Sequence, residues 1–253
     1  MFTTFKKIVL LFCIGILLFS CKEDSYNVTK ITAKTIAIDA TVTSVNTIAK
    51  TIAPYKEKMI AEINTVLSYA PKDLTRTDGE LESSLGNLLA DLTFKRATPI
   101  FKKQTGKNID FSMFNFGGIR AGIPAGNVSN KNAFELMPFE NILVVVELSG
   151  QKVEALIAYL IKSNTAHPLS KNIALTITKK GYELYINNKK FDTNRSYFVL
   201  TSDYLQSGGD NMTFFKNPIQ RVSLEYKMRD AIVDYFKSVD TLKSNLDKRF
   251  KRK

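Results

Sequence analysis

Three short stretches carry the side chains with chemistry to offer. Asn115-Phe116-Gly117-Gly118-Ile119-Arg120 follows an apolar run, Met137-Pro138-Phe139-Glu140-Asn141 precedes another, and Thr201 to Asn211 leaves a third through Tyr204 and Gly208-Gly209-Asp210. Paired glycines at a strand end let the backbone turn sharply and let a ligand come close. Arg120 offers a planar fork of donors to an anion. Phe139 and Tyr204 put flat faces beside polar turns, while Asn115, Asn141 and Asp210 add two amides and a carboxylate. Two plainer readings stand beside this one: glycine pairs are ordinary punctuation at strand ends, and each aromatic taken alone also fits core packing.

Bond-breaking chemistry is harder to find. The sequence has one histidine, His167, in a Thr-Ala-His-Pro turn, and it reads as a surface loop residue. A catalytic metal centre needs several His, Asp or Glu ligands converging in one place, and no motif supplies them. No serine sits in a recognisable nucleophile elbow that would recruit His167 to a triad. No catalytic and no metal-binding residue is therefore assigned.

The elements that must hold the three stretches follow from periodicity. Ile109 to Phe114 reads as a buried strand ending in the glycine turn, and Ile142 to Leu148 as a second, nearly continuous apolar strand. Ser149-Gly150 turns the latter into a helix with Val153, Leu156, Ile157, Leu160 and Ile161 on one face. Ile173 to Ile177 and Tyr182 to Ile186 form a hairpin around Gly181. Tyr197 to Leu200 is a further strand, and Met228, Ala231, Ile232, Tyr235 and Phe236 line a last helix. Upstream, Leu85, Leu88, Leu89 and Leu92 share a helical face with Ser83 or Ser84 as N-cap. Gly86 in that first turn suggests close approach of another backbone. Earlier still, Met59, Ile60, Ile63, Val66 and Leu67 predict a helix with Pro54 in its first turn, and Ile36, Ile38, Ala40 and Val42 alternate as a strand would. The whole predicts an α+β (mixed α/β) domain, a mixed sheet layered with helices.

Met1 to Cys21 reads as a targeting segment: Lys6 and Lys7, then an apolar core from Ile8 to Phe19 too short for a comfortable span. Leu18-Phe19-Ser20-Cys21 resembles a bacterial lipobox, with Cys21 lipidated (palmitate) as the first mature residue; the alternative is an uncleaved anchor helix. Either way the domain is expected outside the cytoplasm and tethered to a membrane, and the lipobox reading makes the tether a lipid anchor in the outer membrane, on its periplasmic face or at the cell surface. Lys22-Glu23-Asp24 fits a surface-sorting signature or a plain solvated tether. Cys13 and Cys21 leave nothing for a disulfide in the mature chain. Net charge is +12 over 253 residues, mostly diffuse lysine. Lys248, Arg249, Lys251, Arg252 and Lys253 read as a frayed basic tail, and with no stacking platform or known module no nucleic-acid partner is expected.

Together with Glu82 to Asp91, the three stretches make four ordered motifs that resemble the C-terminal, nucleotide-binding domain of the 5'-nucleotidase family, from about Glu82 to Phe215. That resemblance implies a nucleoside pocket. Phe139 and Tyr204 stand where the family sandwiches the base, Asp210 of Gly208-Gly209-Asp210 where it holds the ribose, and Asn115, Gly117, Gly118, Arg120 and Asn141 where it contacts or orients the ligand. Asn87 and Asp91 are expected to do structural work, their side-chain hydrogen bonds holding the binding loops. The chain departs from the pattern at three places: Phe116 replaces the first of three glycines and is expected to narrow the pocket, Asn211 replaces a glycine, and the nearest upstream arginine is Arg76. The family's metallophosphatase motifs are absent. The implied function is the nucleotide-binding half of a split 5'-nucleotidase, its divalent metals held by a separately encoded metallophosphatase. The alternatives are a stand-alone nucleoside- or nucleotide-binding lipoprotein for uptake and a degenerate structural member. The expected segments are a signal peptide over 1–20, a tether and first strand over 21–53, the domain over 54–238 and the basic tail over 239–253.

Overall fold

The structure, a computed structural model, describes residues 27–253. The readings on the signal segment, Cys21 and Lys22-Glu23-Asp24 lie outside the described residues. The chain divides into two compact units, Met1–Ala49 and Lys50–Lys253.

The strand expected around Ile36 to Val42 is not there. Ile36 and Ile38 are 76% and 88% exposed, and the segment joins no ladder among the described residues. Alternation makes a strand only where a neighbour satisfies its backbone groups and covers one face. Helix α1 (Asn46–Ile63) starts well before Pro54, which therefore lies inside it rather than in its first turn. The helix buries none of its residues, so water can take the Lys50 carbonyl that the proline leaves unbonded. Val66 and Leu67, expected on that helix, instead open strand β1 (Val66–Ala70), which pairs antiparallel with β3 (Gly126–Ser129).

Helix α2 (Ser84–Thr105) begins as its sequence prescribes. The Ser83 hydroxyl accepts from the Gly86 N–H, and Gly106 closes the helix in the left-handed conformation. A Cβ on Gly86 would meet the Ser83 hydroxyl at 2.7 Å, while Pro168 stays at an ordinary 3.6 Å. The glycine is thus required by its own cap rather than by another backbone. Leu85, Leu88, Leu89 and Leu92 are buried in the core.

Two mixed four-stranded sheets complete the unit. One has the order β2-β8-β4-β9, from β2 (Phe111–Ser112), β8 (Ser196–Ser202), β4 (Ile142–Ser149) and β9 (Gln220–Lys227). Strands β2 and β8 run parallel, and β4 runs antiparallel to β8 and to β9. The other sheet has the order β10-β5-β6-β7, from β5 (Ile173–Thr178), β6 (Gly181–Ile186), β7 (Lys189–Lys190) and β10 (Phe250–Arg252). Helices α3 (Asn130–Leu136), α4 (Gly150–Ser163), α5 (Asp203–Gln206) and α6 (Met228–Lys237) lie between the strands in sequence. Ser149 caps α4, and Val153, Leu156, Ile157 and Leu160 bury the expected face.

The C-terminal stretch is a correction. Residues 239–253, read as a frayed basic tail, belong to the second unit. Phe250 is buried and β10 pairs parallel with β5, Phe250 opposite Leu175. The Arg249 guanidinium, 6% exposed, forks onto Asp91 at 3.0 and 2.9 Å and onto Asp247 at 2.8 and 2.6 Å, and donates to the Leu169 carbonyl at 2.7 Å. Burial opposes ionisation of Asp247, yet the Arg249 donors hold its carboxyl below the usual range. Glu82 accepts from the Lys248 backbone N–H, and Asn87 bonds both Glu82 and the Asn245 carbonyl. Asn87 and Asp91 do structural work, but they hold the C-terminal segment rather than the binding loops.

Candidate functional site

The register of the first sheet gathers the three stretches at one end. Phe111 lies opposite Val199 and Ser112 opposite Leu200 in the parallel pair, so the residues after β2 and after β8 leave by the same edge. Antiparallel β4 begins at that edge, with Leu143 opposite Ser202, so Phe139 and Asn141 arrive there too. This is the carboxyl end of the parallel strands, where open α/β sheets place their ligands.

Local bonds then fix each stretch. Phe116–Gly118 winds into one short 3-10 turn. Arg76 braces it, donating to the Ile119 carbonyl at 2.6 Å and lying over the Phe116 ring at 4.5 Å. The Phe116 ring is therefore drawn toward Arg76 and does not line the cavity, contrary to the expectation that it narrows the pocket. Asp203 accepts from the Ile142 and Tyr204 N–H groups at 3.1 and 2.8 Å, tying the start of β4 to α5. Glu140, between Phe139 and Asn141, pairs with Lys227 at 2.6 Å and with Arg229, and these two partners, Lys227 first, hold its carboxyl below the usual range. Asp203, Lys227 and Arg229 carry no signal in the sequence, because Ile142 and Glu140 lie far from them in the chain, and Arg76 stands out only as the nearest upstream arginine.

These turns enclose a cavity of about 290 Å³ lined by Asn115, Gly117, Gly118, Arg120, Phe139, Asn141, Tyr204 and Asp210, near the lower end of the roughly 300–1,000 Å³ usual for small-molecule sites. Phe139 and Tyr204 are 39% and 43% exposed, so neither packs in the core. Arg120 approaches the Phe139 ring at 6.0 Å and donates to the Gly117 carbonyl.

Asp210 is the most tightly fixed of these groups. One carboxylate oxygen accepts from the Asn115 amide at 2.6 Å and the other from the Tyr204 hydroxyl at 2.8 Å. Its backbone is left-handed (φ 52°), as is that of Asn211 (φ 59°). Asparagine and aspartate tolerate that conformation better than other side chains, which lets Asn211 stand where the family pattern has glycine. Gly208 and Gly209 do not line the cavity but shape it. A Cβ on Gly209 would stand 2.5 Å from the Tyr204 ring, so the ring lies directly on that glycine. Bonding to Asp210, more than burial, raises the Tyr204 hydroxyl pKa and keeps it protonated as a donor.

His167 is also a correction. It is 7% exposed and sits behind the cavity, where Nδ1 accepts from the Phe116 N–H at 3.1 Å. Burial pushes its pKa down to about 4, against the opposing pull of Asp210 and the Phe114 backbone. The ring is neutral near pH 7. Among the described residues no three His, Cys, Asp or Glu side chains gather as a metal site would require, and no helix is long and apolar enough to cross a membrane.

Comparison with known proteins gives a consistent result. The model of the family described as "5'-nucleotidase, C-terminal domain" matches residues 59–217. The chain is 24% identical over 197 residues to the 5'-nucleotidase of Vibrio parahaemolyticus, covering 74% of this chain and 33% of that protein. It is 28% identical over 185 residues to cell wall protein Lmo0130 of Listeria monocytogenes, covering 64% and 23%. The crystal structure of the 5'-nucleotidase precursor from Thermus thermophilus superimposes with a TM-score of 0.65 at 23% identity, over 82% of this chain and 43% of that one, a likeness of fold. The chain spans a third or less of the length of these curated relatives.

Proposed function

Because the chain belongs to the 5'-nucleotidase C-terminal domain family, we propose that it is the nucleotide-binding half of a split 5'-nucleotidase acting outside the cytoplasm. Phe139 and Tyr204 stack the base, Asp210 takes the ribose hydroxyls, and Arg120, Asn115 and Asn141 orient the rest of the nucleotide. The observation that carries this reading is the convergence of those residues, from three separate turns, on one cavity with two half-exposed aromatic walls. Stacking contributes about 1–3 kcal/mol per base. Asp210 still has lone pairs free after its two bonds to Asn115 and Tyr204.

The described residues do not fit a two-metal hydrolytic centre. We propose that the metals and the attacking water come from a separately encoded metallophosphatase. Lipidation at Cys21 would tether the domain in the cell envelope; that one relative is a cell wall protein agrees with an extracytoplasmic place.

The test is calorimetric titration of residues 22–253 with adenosine and AMP, alone and with a candidate phosphatase. Binding that vanishes in the Phe139→Ala, Tyr204→Ala double variant, with phosphate release faster for the pair than for the phosphatase alone, is the expected result. Binding without any gain in phosphate release would favour nucleoside capture for uptake, and binding untouched by the double variant would overturn the pocket.

A further inference from the structure

The short turn that forms the floor of the cavity lacks its ordinary cap. A 3-10 or α-helical turn begins with N–H groups that have no partner inside the turn, and the residue before it usually supplies an acceptor. Here that residue is Asn115, with extended backbone (φ −93°, ψ 144°), and its side chain makes no capping bond. Its Nδ2–H donates to the Asp210 carboxylate at 2.6 Å, which ties the side chain to that loop. The Phe116 N–H would be left partly buried and unbonded. It is taken instead by a ring from the far side of the chain, Nδ1 of His167 at 3.1 Å. Nδ1 accepts, so the ring proton sits on Nε2.

His167 is fixed in turn by its neighbours. Its backbone N–H bonds the Thr165 carbonyl at 2.8 Å, and the next carbonyl, of Pro168, accepts from the Phe114 N–H at 2.9 Å. The Tyr159 ring of α4 lies 5.5 Å from the imidazole, and the Tyr159 hydroxyl donates to the Asp210 carbonyl at 3.0 Å. One contiguous set of contacts therefore joins the Phe116–Gly118 turn, the 165–168 turn, α4 and the left-handed Asp210. It holds from behind both of the loops that carry Asn115 and Asp210.

We propose that His167 is a positioning residue for the ligand pocket: its neutral ring accepts the first N–H of the Phe116–Gly118 turn, an orphan that a side chain at Asn115 does not serve, and, through Tyr159, keeps that turn in register with Asp210. This deepens the nucleotide-binding reading and rests on it for its effect on affinity; the effect on the turn is independent of any ligand. Protonation removes the acceptor and puts a cation against the Phe116 N–H, so the cap is lost in acid. The titratable groups facing the ring are Asp210, from the 208–211 turn, which favours the charged form, and Tyr159 on α4, which is neutral in this range. The neighbouring residues of its own turn, Thr165, Ala166, Pro168 and Leu169, carry no charge.

Two variants separate capping from packing. His167→Asn places an amide oxygen near the position of Nδ1 and accepts without titrating, whereas His167→Leu fills the space and accepts nothing. Hydrogen exchange at the Phe116 amide reports the cap, and calorimetry with AMP reports the pocket, each followed from pH 7 to pH 4. The Phe116 amide is expected to be protected in the natural protein and in His167→Asn and to exchange at least tenfold faster in His167→Leu. AMP is expected to bind about tenfold more weakly to His167→Leu, with His167→Asn near the natural affinity and lacking the natural protein's extra weakening toward pH 4. Equal Phe116 protection in all three overturns the capping role. Faster exchange in His167→Leu with unchanged AMP affinity overturns the link to the pocket. If the natural protein binds no AMP, the nucleotide reading falls while exchange still decides the cap.

Discussion

Replacing Arg249 by methionine keeps most of the side-chain length and removes the fork. In the folded protein that fork makes charge-assisted bonds to Asp91 and Asp247 and one bond to the Leu169 carbonyl. Breaking a buried ion pair by removing one partner costs about 3–5 kcal/mol, because the other charge is left without compensation. Asp91 and Asp247 are 30% and 45% exposed, so water would recover part of that loss, and the lower end, about 3 kcal/mol, is expected. A domain of this size shifts its melting temperature by about 2–4 °C per kcal/mol, giving a drop of roughly 6–12 °C. The assay is thermal unfolding followed by circular dichroism, with Lys251→Met as the control because Lys251 is exposed on the adjoining strand β10. Arg249→Lys keeps the charge but loses the fork geometry and should fall between the two. If Arg249→Met melted no lower than Lys251→Met, the C-terminal stretch would be the loose tail that its composition suggests, and the reasoning would be refuted.

Two further outcomes follow from the site. Gly209→Ala should push the Tyr204 ring off its place, since the new Cβ would stand 2.5 Å from it; the half-exposed ring can swing into solvent, so AMP affinity is expected to fall about tenfold while the melting temperature changes little, and unchanged affinity would remove Tyr204 from the binding face. Stability should also depend on pH through His167, whose pKa drops from the ordinary 6.5 to about 4 in the fold. Between those values the unfolded chain takes up a proton that the folded chain refuses, so stability falls as pH drops from about 6.5 to about 4 and then levels. The full difference is roughly 3 kcal/mol, read as the gap between denaturant unfolding curves of the natural protein and His167→Asn across that range.

The site was more legible in the sequence than its supports were. Asn115, Arg120, Phe139, Tyr204 and Asp210 flank apolar runs that become β2, β4 and β8, and a strand register carries whatever stands at its ends. Ser83 and Ser149 announced their helices because a cap is a local bond. The errors came where the deciding partner is far away in the chain. Arg249 reads as one more tail charge until Asp91, distant by 158 residues, is brought beside it. His167 reads as a surface residue until the Phe116 N–H, 51 residues away, is brought against its ring. Ile36 to Val42 has the alternation of a strand but no neighbour to pair with. Strand β9 was readable and unread: Val222, Leu224 and Tyr226 alternate in the manner that identifies the other strands.

The seating of β10 has a temporal meaning. Its partners were made long before it, for Glu82 waits for the Lys248 backbone across 166 residues and Leu175 waits for Phe250. Contacts of such sequence separation carry a large loop-closure cost and form late. A chain emerging from the ribosome can assemble the β2-β8-β4-β9 sheet, yet the β5 edge of the other sheet stays open and Asp91 lacks its guanidinium until residues 248–253 follow. Residues 248–253 thus act as a latch on the fold formed before them. A chain lacking those few residues would carry every side chain that lines the cavity and still present a protease with an open domain.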